Sequence, residues 1–242
     1  MPFLLYGNSW IGGNGFMGIE LQFLNLIQEI RTTFLDVFMS NVTKLGNVGF
    51  IWILLTIILL VIPKTRKSGV ILAAALIVDL ILCNVILKPL VARIRPFDVN
   101  TAIQLIIAKP QDYSFPSGHT AASVTSVVAL YLAGEKRLWK IALILTCFIA
   151  FSRMYLYVHY PTDVLGGAVV GVISGYIGYK VTLRMSRHSG INWCSLNVFS
   201  VAFFWDDFSW QYLKFINVFF KGLKSLCKTD KTVSYIFSGG KD

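Results

Sequence analysis

The feature that most constrains this chain is a series of apolar runs with the length and composition of membrane-spanning helices. A helix that crosses a bilayer needs about 20 mostly apolar residues. Five runs approach or meet this length, some of them short, at residues 47–63, 69–87, 119–134, 138–152 and 164–182. Hydrophobic residues make up 55% of the 242 residues and charged residues only 14%, which excludes a disordered chain and disfavours an ordinary soluble domain. The sequence therefore predicts an integral membrane protein.

We expect an all-α integral membrane helical bundle with five or six transmembrane helices plus interfacial amphipathic helices. The number of transmembrane helices depends on Ile19–Met39, where apolar residues recur at helical spacing but charged residues interrupt them. We interpret this stretch as an amphipathic helix on the membrane surface, with a sixth span as the alternative. The chain then divides into an N-terminal amphipathic segment (1–45), a membrane core (46–187) and an aromatic, lysine-rich tail (188–242), expected to lie as an interfacial helix on the inner leaflet.

The basic residues predict both a partner and an orientation. The formal net charge is +10, and the bases lie between apolar runs, which favours anionic lipid at the inner leaflet over nucleic acid as a partner. Nine Lys and Arg residues occupy the linkers near residues 64, 136 and 184, against five in the alternate loops, 88–118 and 152–163. Cytoplasmic loops carry the excess of bases, so these two loops are expected outside.

Polar residues of the first outer loop form a candidate anion site. Lys88 and Arg95 are seven residues apart, which is two helical turns, so they would share a face on a continuing helix that Pro96 helps to end. The loop closes with Pro116–His119 (PSGH) directly before an apolar run. A Ser-Gly turn at a helix N-terminus offers backbone N–H groups and a hydroxyl to an anion.

The second outer loop adds Arg153, His159 and Asp163. The last two are four residues apart, so in a helical turn the carboxylate would hold one nitrogen of the imidazole ring. Arginine is suited to bidentate phosphate binding and lysine adds a point charge. With no carboxylate cluster or Cys/His set for a catalytic metal, and no CxxC among the four cysteines, the bases must neutralise the substrate charge. One His backed by Asp and a second His as acid suit phosphoryl transfer through a phosphohistidine.

The pattern K-x6-RP, PSGH, SR-x5-H-x3-D resembles the type 2 phosphatidic acid phosphatase family, which is related to vanadium haloperoxidases and bacterial acid phosphatases. All eleven fixed positions occur in order across residues 88–163. The resemblance covers about residues 47–182 and leaves the first 45 residues and the tail outside it.

The resemblance implies a role for each matching residue. The phosphate-binding set is Lys88, Arg95, Arg153, Ser117 and Gly118. His159 would attack phosphorus in line, while Asp163 fixes its tautomer and stabilises the imidazolium. His119 would protonate the leaving oxygen and then activate the water that cleaves the phosphoenzyme. Ser152 belongs to the motif with only a supporting hydrogen bond.

These observations predict a metal-independent, cofactor-free lipid phosphatase. Undecaprenyl diphosphate is the first substrate choice, with phosphatidate or phosphatidylglycerophosphate next, and a bacterial plasma membrane with the site on its extracytoplasmic face is the expected location. The alternatives are a lipid phosphotransferase that uses the same phosphohistidine and a catalytically silent lipid-binding or transport protein. Asp79, inside a span, is expected to be buried and hydrogen-bonded, and the series Gly167, Gly171 and Gly175 to serve close helix packing.

Overall fold

The computed structural model describes residues 15–189, and this part of the chain forms helices and connecting loops without any strand. Residues 1–14 and the tail from residue 190 onward lie outside the described part, so the predicted interfacial helix of the tail stays a prediction. The α-helices run in the order α1 Gly15–Glu29, α2 Thr33–Leu45, α3 Phe50–Val61, α4 Arg66–Asp79, α5 Lys88–Val91, α6 Pro96–Val99, α7 Gly118–Ala133, α8 Leu138–Tyr155 and α9 Pro161–Ser189. A π-helical segment, Leu80–Leu87, joins α4 to α5, and 3-10 turns at Asn47–Gly49 and Pro63–Thr65 flank α3.

The apolar runs predicted from the sequence all lie on helices. Within the described residues, three helical stretches are long and apolar enough to cross a membrane, namely Pro63–Val99, Leu138–Tyr155 and Pro161–Arg187. A fourth results if α2 and α3, which are bent by 46° relative to each other, form one broken span. Helix α7 is apolar but only 16 residues long. The all-helical membrane architecture is therefore confirmed, and the number of five or six spans stays a prediction.

The core lies between α3, α4, α7 and α8. Each of these helices buries a large apolar side chain there: Trp52, Leu72, Leu130 and Ile149. The Trp52 indole N–H donates a 3.0 Å hydrogen bond to Ser123 Oγ, so the one polar atom of this side chain is satisfied inside the bundle. Asp79 is buried in α4 as expected, but its Oδ1 atom has no hydrogen-bond partner among the described residues.

The predicted glycine series brings α9 into backbone contact with α7. A Cβ atom on Gly167 would lie 2.6 Å from the Ser117 carbonyl oxygen, and one on Gly171 would lie 2.6 Å from the Ala121 carbonyl oxygen. Only glycine permits so close an approach, which confirms the packing role. The contact fixes the N-terminus of α7 beside the N-terminus of α9, where the Ser117 N–H donates to the Asp163 carbonyl at 3.0 Å.

The N-terminal stretch Ile19–Met39 is not the single helix that was predicted. Thr32 caps a new helix, accepting a 3.3 Å hydrogen bond from the Leu35 N–H, so the stretch divides between α1 and α2. Six of the seven apolar residues of the predicted stripe are exposed: Ile19, Phe23, Leu26, Ile30, Phe34 and Val37. The seventh, Ile27, is buried, and together with Leu24 and Met39 it packs against residues 155–160. These helices therefore form a wall of the protein as well as an apolar outer surface.

Candidate active site

A cavity of about 590 Å³ lies where α2, α5, α7 and the loops after α6 and α8 meet. The residues of the three sequence motifs that line it are Lys88, Arg95, Gly118, His119, Arg153 and His159. They come from stretches of chain up to 71 residues apart, Lys88 to His159, so the packing of the helices assembles the cavity. The sequence prediction that these side chains share one site agrees with this geometry.

Lys88 and Arg95 meet in the cavity, but by a different route from the one predicted. The helix that carries Lys88 ends at Ala92, which has a left-handed φ of 47°, and Arg95 lies in extended backbone before α6. Pro96 therefore begins a helical turn and does not end one, because its fixed φ suits the first position of a helix. The expectation of one continuing helix face is wrong, and it is the reversal at Ala92 that turns Arg95 back toward Lys88.

The carboxylate of Asp112 lies between these two cations. Arg95 donates from Nη2 to Asp112 Oδ1 at 2.6 Å and from Nε to the Asp112 carbonyl at 2.7 Å, while the Lys88 ammonium is paired with Oδ2. Burial raises the pKa of the Asp112 carboxyl, but the hydrogen bonds and charges of Lys88 and Arg95 outweigh it and lower this pKa to about 2. The half-exposed carboxylate of Asp112 thus occupies the position where the sequence predicts that a phosphate binds.

His159 is in a loop, as predicted, but that loop is packed inside the protein. The ring is 2% exposed, and its Nε2 atom lies 3.3 Å from Nη1 of Arg95. Burial lowers the pKa of His159 to about 3, against the opposing effect of Asp163, so the imidazole is neutral at physiological pH. A neutral ring is the form that acts as a nucleophile.

Asp163, in the first turn of α9, lies next to His159. Its Oδ2 atom is 3.5 Å from His159 Nδ1 and accepts hydrogen bonds from Ser114 Oγ at 2.5 Å and the Tyr160 N–H at 2.9 Å. Its Oδ1 atom accepts from Arg93 Nη1 at 2.7 Å. The carboxylate therefore faces the imidazole as predicted, but at this distance His159 Nδ1 has no hydrogen-bond partner among the described residues.

His119 is the second residue of α7 and also lines the cavity. Its Nε2 atom lies 3.0 Å from Asn47 Oδ1. Its ring packs so tightly on Gly46 that a Cβ atom there would lie 2.8 Å from His119 Cδ2. Because the Asn47 amide oxygen accepts only, the contact selects the tautomer with the proton on Nε2. The turn between α2 and α3 thus orients this histidine.

The remaining motif residues divide between the cavity and the surrounding protein. Gly118 lines the cavity, and a Cβ atom on it would lie 3.6 Å from Lys88 Nζ. Ser117 is fully buried behind it, and its hydroxyl accepts a 3.0 Å hydrogen bond from Thr120.

Ser152 donates to the Ile149 carbonyl at 2.7 Å, which is the supporting role expected of it. Arg153 reaches the cavity from the last turn of α8 and donates to Thr43 Oγ1 of α2.

Several residues that were not predicted from the sequence contact the motif side chains. Arg93 lies within the first motif, at one of its variable positions, and Asp112 is one of only two acidic residues in the loop 88–118. Both residues could therefore have been identified as candidates from the sequence. Thr43 and Asn47 contact the site from outside the motifs, and nothing in their spacing distinguishes them. No three His, Cys, Asp or Glu side chains in residues 15–189 are grouped so that they hold a metal ion.

A membrane-embedded helical bundle with three cations and two histidines around one cavity is the architecture of an integral membrane phosphatase. Comparison with known proteins agrees: the PAP2 superfamily matches residues 68–187. The undecaprenyl-diphosphatase of Sulfolobus acidocaldarius is 32% identical over 171 residues, which is 71% of this chain and 82% of that protein. The chain belongs to the PAP2 superfamily.

Two further relatives show the breadth of this similarity. A lipid A 4'-phosphatase of Bacteroides thetaiotaomicron is 31% identical over 190 residues, covering 72% of this chain and 83% of that protein. The crystal structure of a transmembrane PAP2-type phosphatidylglycerolphosphate phosphatase from Bacillus subtilis superimposes with a TM-score of 0.59 at 25% identity, covering 73% of this chain and 90% of that one. All three relatives are named as phosphatases, each with a different substrate.

Proposed function

We propose that this protein hydrolyses a lipid phosphate or diphosphate through a phosphohistidine intermediate. The observation that carries the proposal is the cavity itself, which brings together two histidines and three cations from three separate stretches of the chain. Lys88, Arg95 and Arg153 bind the phosphate oxygens, and Gly118 adds a backbone N–H from the start of α7. In this state the substrate phosphate replaces the Asp112 carboxylate.

The reaction proceeds in two displacements. The neutral imidazole of His159 attacks phosphorus through Nε2, so an N–P bond forms while the bond from phosphorus to the leaving oxygen breaks. His119, protonated on both ring nitrogens once the phosphate is bound, gives one of these protons to that leaving oxygen and becomes neutral. In the second half, the same nitrogen of His119 takes a proton from water, whose oxygen attacks phosphorus and releases inorganic phosphate. Asp163 faces Nδ1 of His159 throughout and stabilises the cationic ring of the intermediate.

A diphosphate is the substrate class that the cavity favours. Its wall on α2 and the turn that follows contributes Ser40, Lys44 and Asn47, all outside the phosphate-binding motifs. Lys44 adds a further cation near the phosphate site, as a second phosphate group requires. Undecaprenyl diphosphate is therefore our first choice, supported by the name of the Sulfolobus relative, and phosphatidate and phosphatidylglycerophosphate come next.

The extracytoplasmic face is the location that the charge distribution supports. Of the five bases in the two loops predicted to be outside, only Lys109 is exposed, because Lys88, Arg93, Arg95 and Arg153 are directed into the site. Eight of the nine bases predicted to be cytoplasmic are exposed: Lys64, Lys67, Lys136, Arg137, Lys140, Lys180, Arg184 and Arg187. When only exposed bases are counted, the difference between the two sides of the membrane becomes larger. The positive-inside rule assigns the side with more bases to the cytoplasm, which supports placing the cavity on the other side.

The decisive experiment measures release of free phosphate by the purified protein in detergent. Undecaprenyl diphosphate, phosphatidate and phosphatidylglycerophosphate are supplied separately, with the His159→Ala variant as control. We expect release without any added acceptor, fastest with undecaprenyl diphosphate and absent in the control. Phosphate transfer only in the presence of an acceptor lipid would indicate a phosphotransferase, and the absence of any turnover would contradict the proposal.

A further inference from the structure

Asp163 shares its negative charge between two partners. One oxygen faces His159, and the other accepts a 2.7 Å hydrogen bond from the guanidinium of Arg93. Both Arg93 and Asp163 are removed from water, with side chains 17% and 0% exposed. A unit positive charge this close, in so little water, cancels most of the field that Asp163 exerts on His159. For Asp163 to stabilise a cationic ring, a further negative charge must therefore balance the charge of Arg93.

Glu20 of α1 is a second carboxylate that contacts Arg93. Its side chain is 5% exposed, and one carboxylate oxygen is paired with Arg93 Nη2. The other accepts from the Thr162 N–H at 3.1 Å and the Thr162 hydroxyl at 2.5 Å. Arg93 itself is held in place over the Tyr160 ring, 3.9 Å from its centroid. Glu20 therefore has no freedom to turn toward solvent and forms the far end of a buried row, Glu20–Arg93–Asp163–His159.

The position of Glu20 in the chain makes this contact unexpected. It lies 48 residues before the part that the PAP2 superfamily matches, in the helix that the sequence predicts to lie on the membrane surface. A buried acid costs free energy unless it is paired and hydrogen-bonded, and here every oxygen has a partner from the site. Its neighbours on the other face of α1 are exposed apolar residues, so Glu20 is the inward-facing charged group of this helix.

We propose that Glu20 is a positioning residue for the phosphoryl transfer, acting through Arg93 to keep the group around Asp163 at a net charge of minus one. The inference rests on the proposed phosphohistidine mechanism. With Glu20 ionised, the two carboxylates and one guanidinium leave one negative charge to face the phosphoimidazolium of His159. With Glu20 neutral, Arg93 cancels Asp163 and the cationic intermediate loses its electrostatic partner.

The test uses three variants of the full chain in detergent. Glu20→Gln removes the charge but keeps a side chain that accepts from Thr162. Glu29→Gln makes the same change on the exposed end of the same helix and is the matched control. The double variant Glu20→Gln/Arg93→Gln removes both charges and returns the group around Asp163 to minus one. kcat and KM are measured on the lipid phosphate that the wild-type protein turns over fastest, together with the melting temperature.

We expect Glu20→Gln to lower kcat by about tenfold or more with little change in KM, the order of effect that one unit charge has across a few side chains of a protein interior. Glu29→Gln should match the wild-type protein. The double variant should be more active than Glu20→Gln, a recovery that loss of packing cannot produce.

Two results overturn the inference while the proposed function stands. One is a Glu20→Gln variant with wild-type kcat, and the other is a double variant no more active than Glu20→Gln. If the wild-type protein releases no phosphate from any of the lipids, the proposed function fails first and the inference fails with it.

Discussion

At the scale of single residues, the proposed phosphate site contains a carboxylate anion of the protein itself. Asp112 forms ion pairs with Lys88 and Arg95, and these contacts lower the pKa of its carboxyl group to about 2, so it is charged at any working pH. One of the two positive charges is therefore balanced before substrate binds, which lowers the cost of holding two like charges side by side. In the proposed mechanism, a substrate phosphate binds by displacing this carboxylate.

The first prediction follows from that competition. Asp112→Asn should strengthen inhibition by vanadate and by inorganic phosphate by about tenfold, since a neutral amide competes less well for Lys88 and Arg95. The inhibition constants are measured on the lipid substrate that the protein turns over fastest. Asp98→Asn is the matched control, because Asp98 pairs with Lys109 at 2.5 Å outside the cavity. Weaker inhibition in the Asp112 variant would mean that its carboxylate organises the site and does not compete for it.

His159 carries the second prediction. His159→Ala should reduce phosphate release by about 10³-fold or more, because no neighbouring side chain replaces the nucleophile. The ring is fully buried, so the substitution also leaves a cavity and should lower the melting temperature, unlike an exposed loop residue. Turnover is therefore compared at a temperature where both proteins are folded by circular dichroism. Activity within tenfold of the wild-type protein would refute the phosphohistidine mechanism.

The third prediction separates the second histidine from the first. His119→Ala should lower kcat on a phosphate monoester by about 10²-fold or more, the range for loss of a general acid. The loss on a diphosphate should be smaller, because a phosphate leaving group needs less protonation than a lipid alkoxide. The two substrates are compared side by side with the same preparation. Equal losses on both would contradict the role of His119 as the acid.

At the scale of helices, the glycine face of α9 determines how the two ends of the site meet. Gly167 and Gly171 let the backbone of α7 approach so closely that Ser117 and Asp163 share a backbone hydrogen bond. The first turns of α7 and α9, which carry His119 and Asp163, are thereby held side by side. Small residues at a helix contact are how membrane helices pack without a hydrophobic driving force between them.

The fourth prediction tests this contact. Gly171→Ala should destabilise the protein by about 1–3 kcal/mol, because its Cβ atom would lie 2.6 Å from the Ala121 carbonyl oxygen and the helices would have to separate. Gly18→Ala on α1, where no atom lies within 4 Å of the added Cβ atom, is the control and should be neutral or slightly stabilising. Melting temperatures in the same detergent give the comparison. An equal effect of the two substitutions would exclude close packing as the role of Gly171.

At the scale of the whole molecule, the exposed bases are distributed unevenly between the two ends of the helices. The exposed bases favour an extracytoplasmic site, since nearly all of them lie at the other end of the helices. An outward-facing site suits a lipid whose apolar tail stays in the bilayer while its phosphate enters the cavity. The exposed apolar stripe of α1 and α2 lies beside that cavity and offers a surface to lipid chains.

The fifth prediction is that the cavity faces the outside of the cell, and it is tested by cysteine labelling in bacterial cells that express the protein. Single cysteines are placed at Lys109, on the loop before α7, and at Lys136, between α7 and α8, in a background whose four cysteines are replaced by alanine. A membrane-impermeant maleimide should label position 109 in intact cells and position 136 only after permeabilisation. The opposite pattern would place the site on the cytoplasmic face.

The sequence by itself determined the class of protein and most of the candidate site. Apolar runs long enough to cross a bilayer need no tertiary information, because each backbone group in lipid must be satisfied within its own helix. The motif residues were found because their chemistry and spacing are local properties of the chain, and Lys88, His119, Arg153 and His159 do line one cavity.

Only the tertiary structure decided how those residues are held. Asp112 reaches Lys88 and Arg95 because the chain reverses at Ala92, and Glu20 reaches Arg93 across 73 residues. Such pairs follow from the docking of α1 and the long loop against the bundle, a three-dimensional arrangement that no spacing in the sequence encodes. The same docking buries His159, whose neutral state depends on the exclusion of water from its loop.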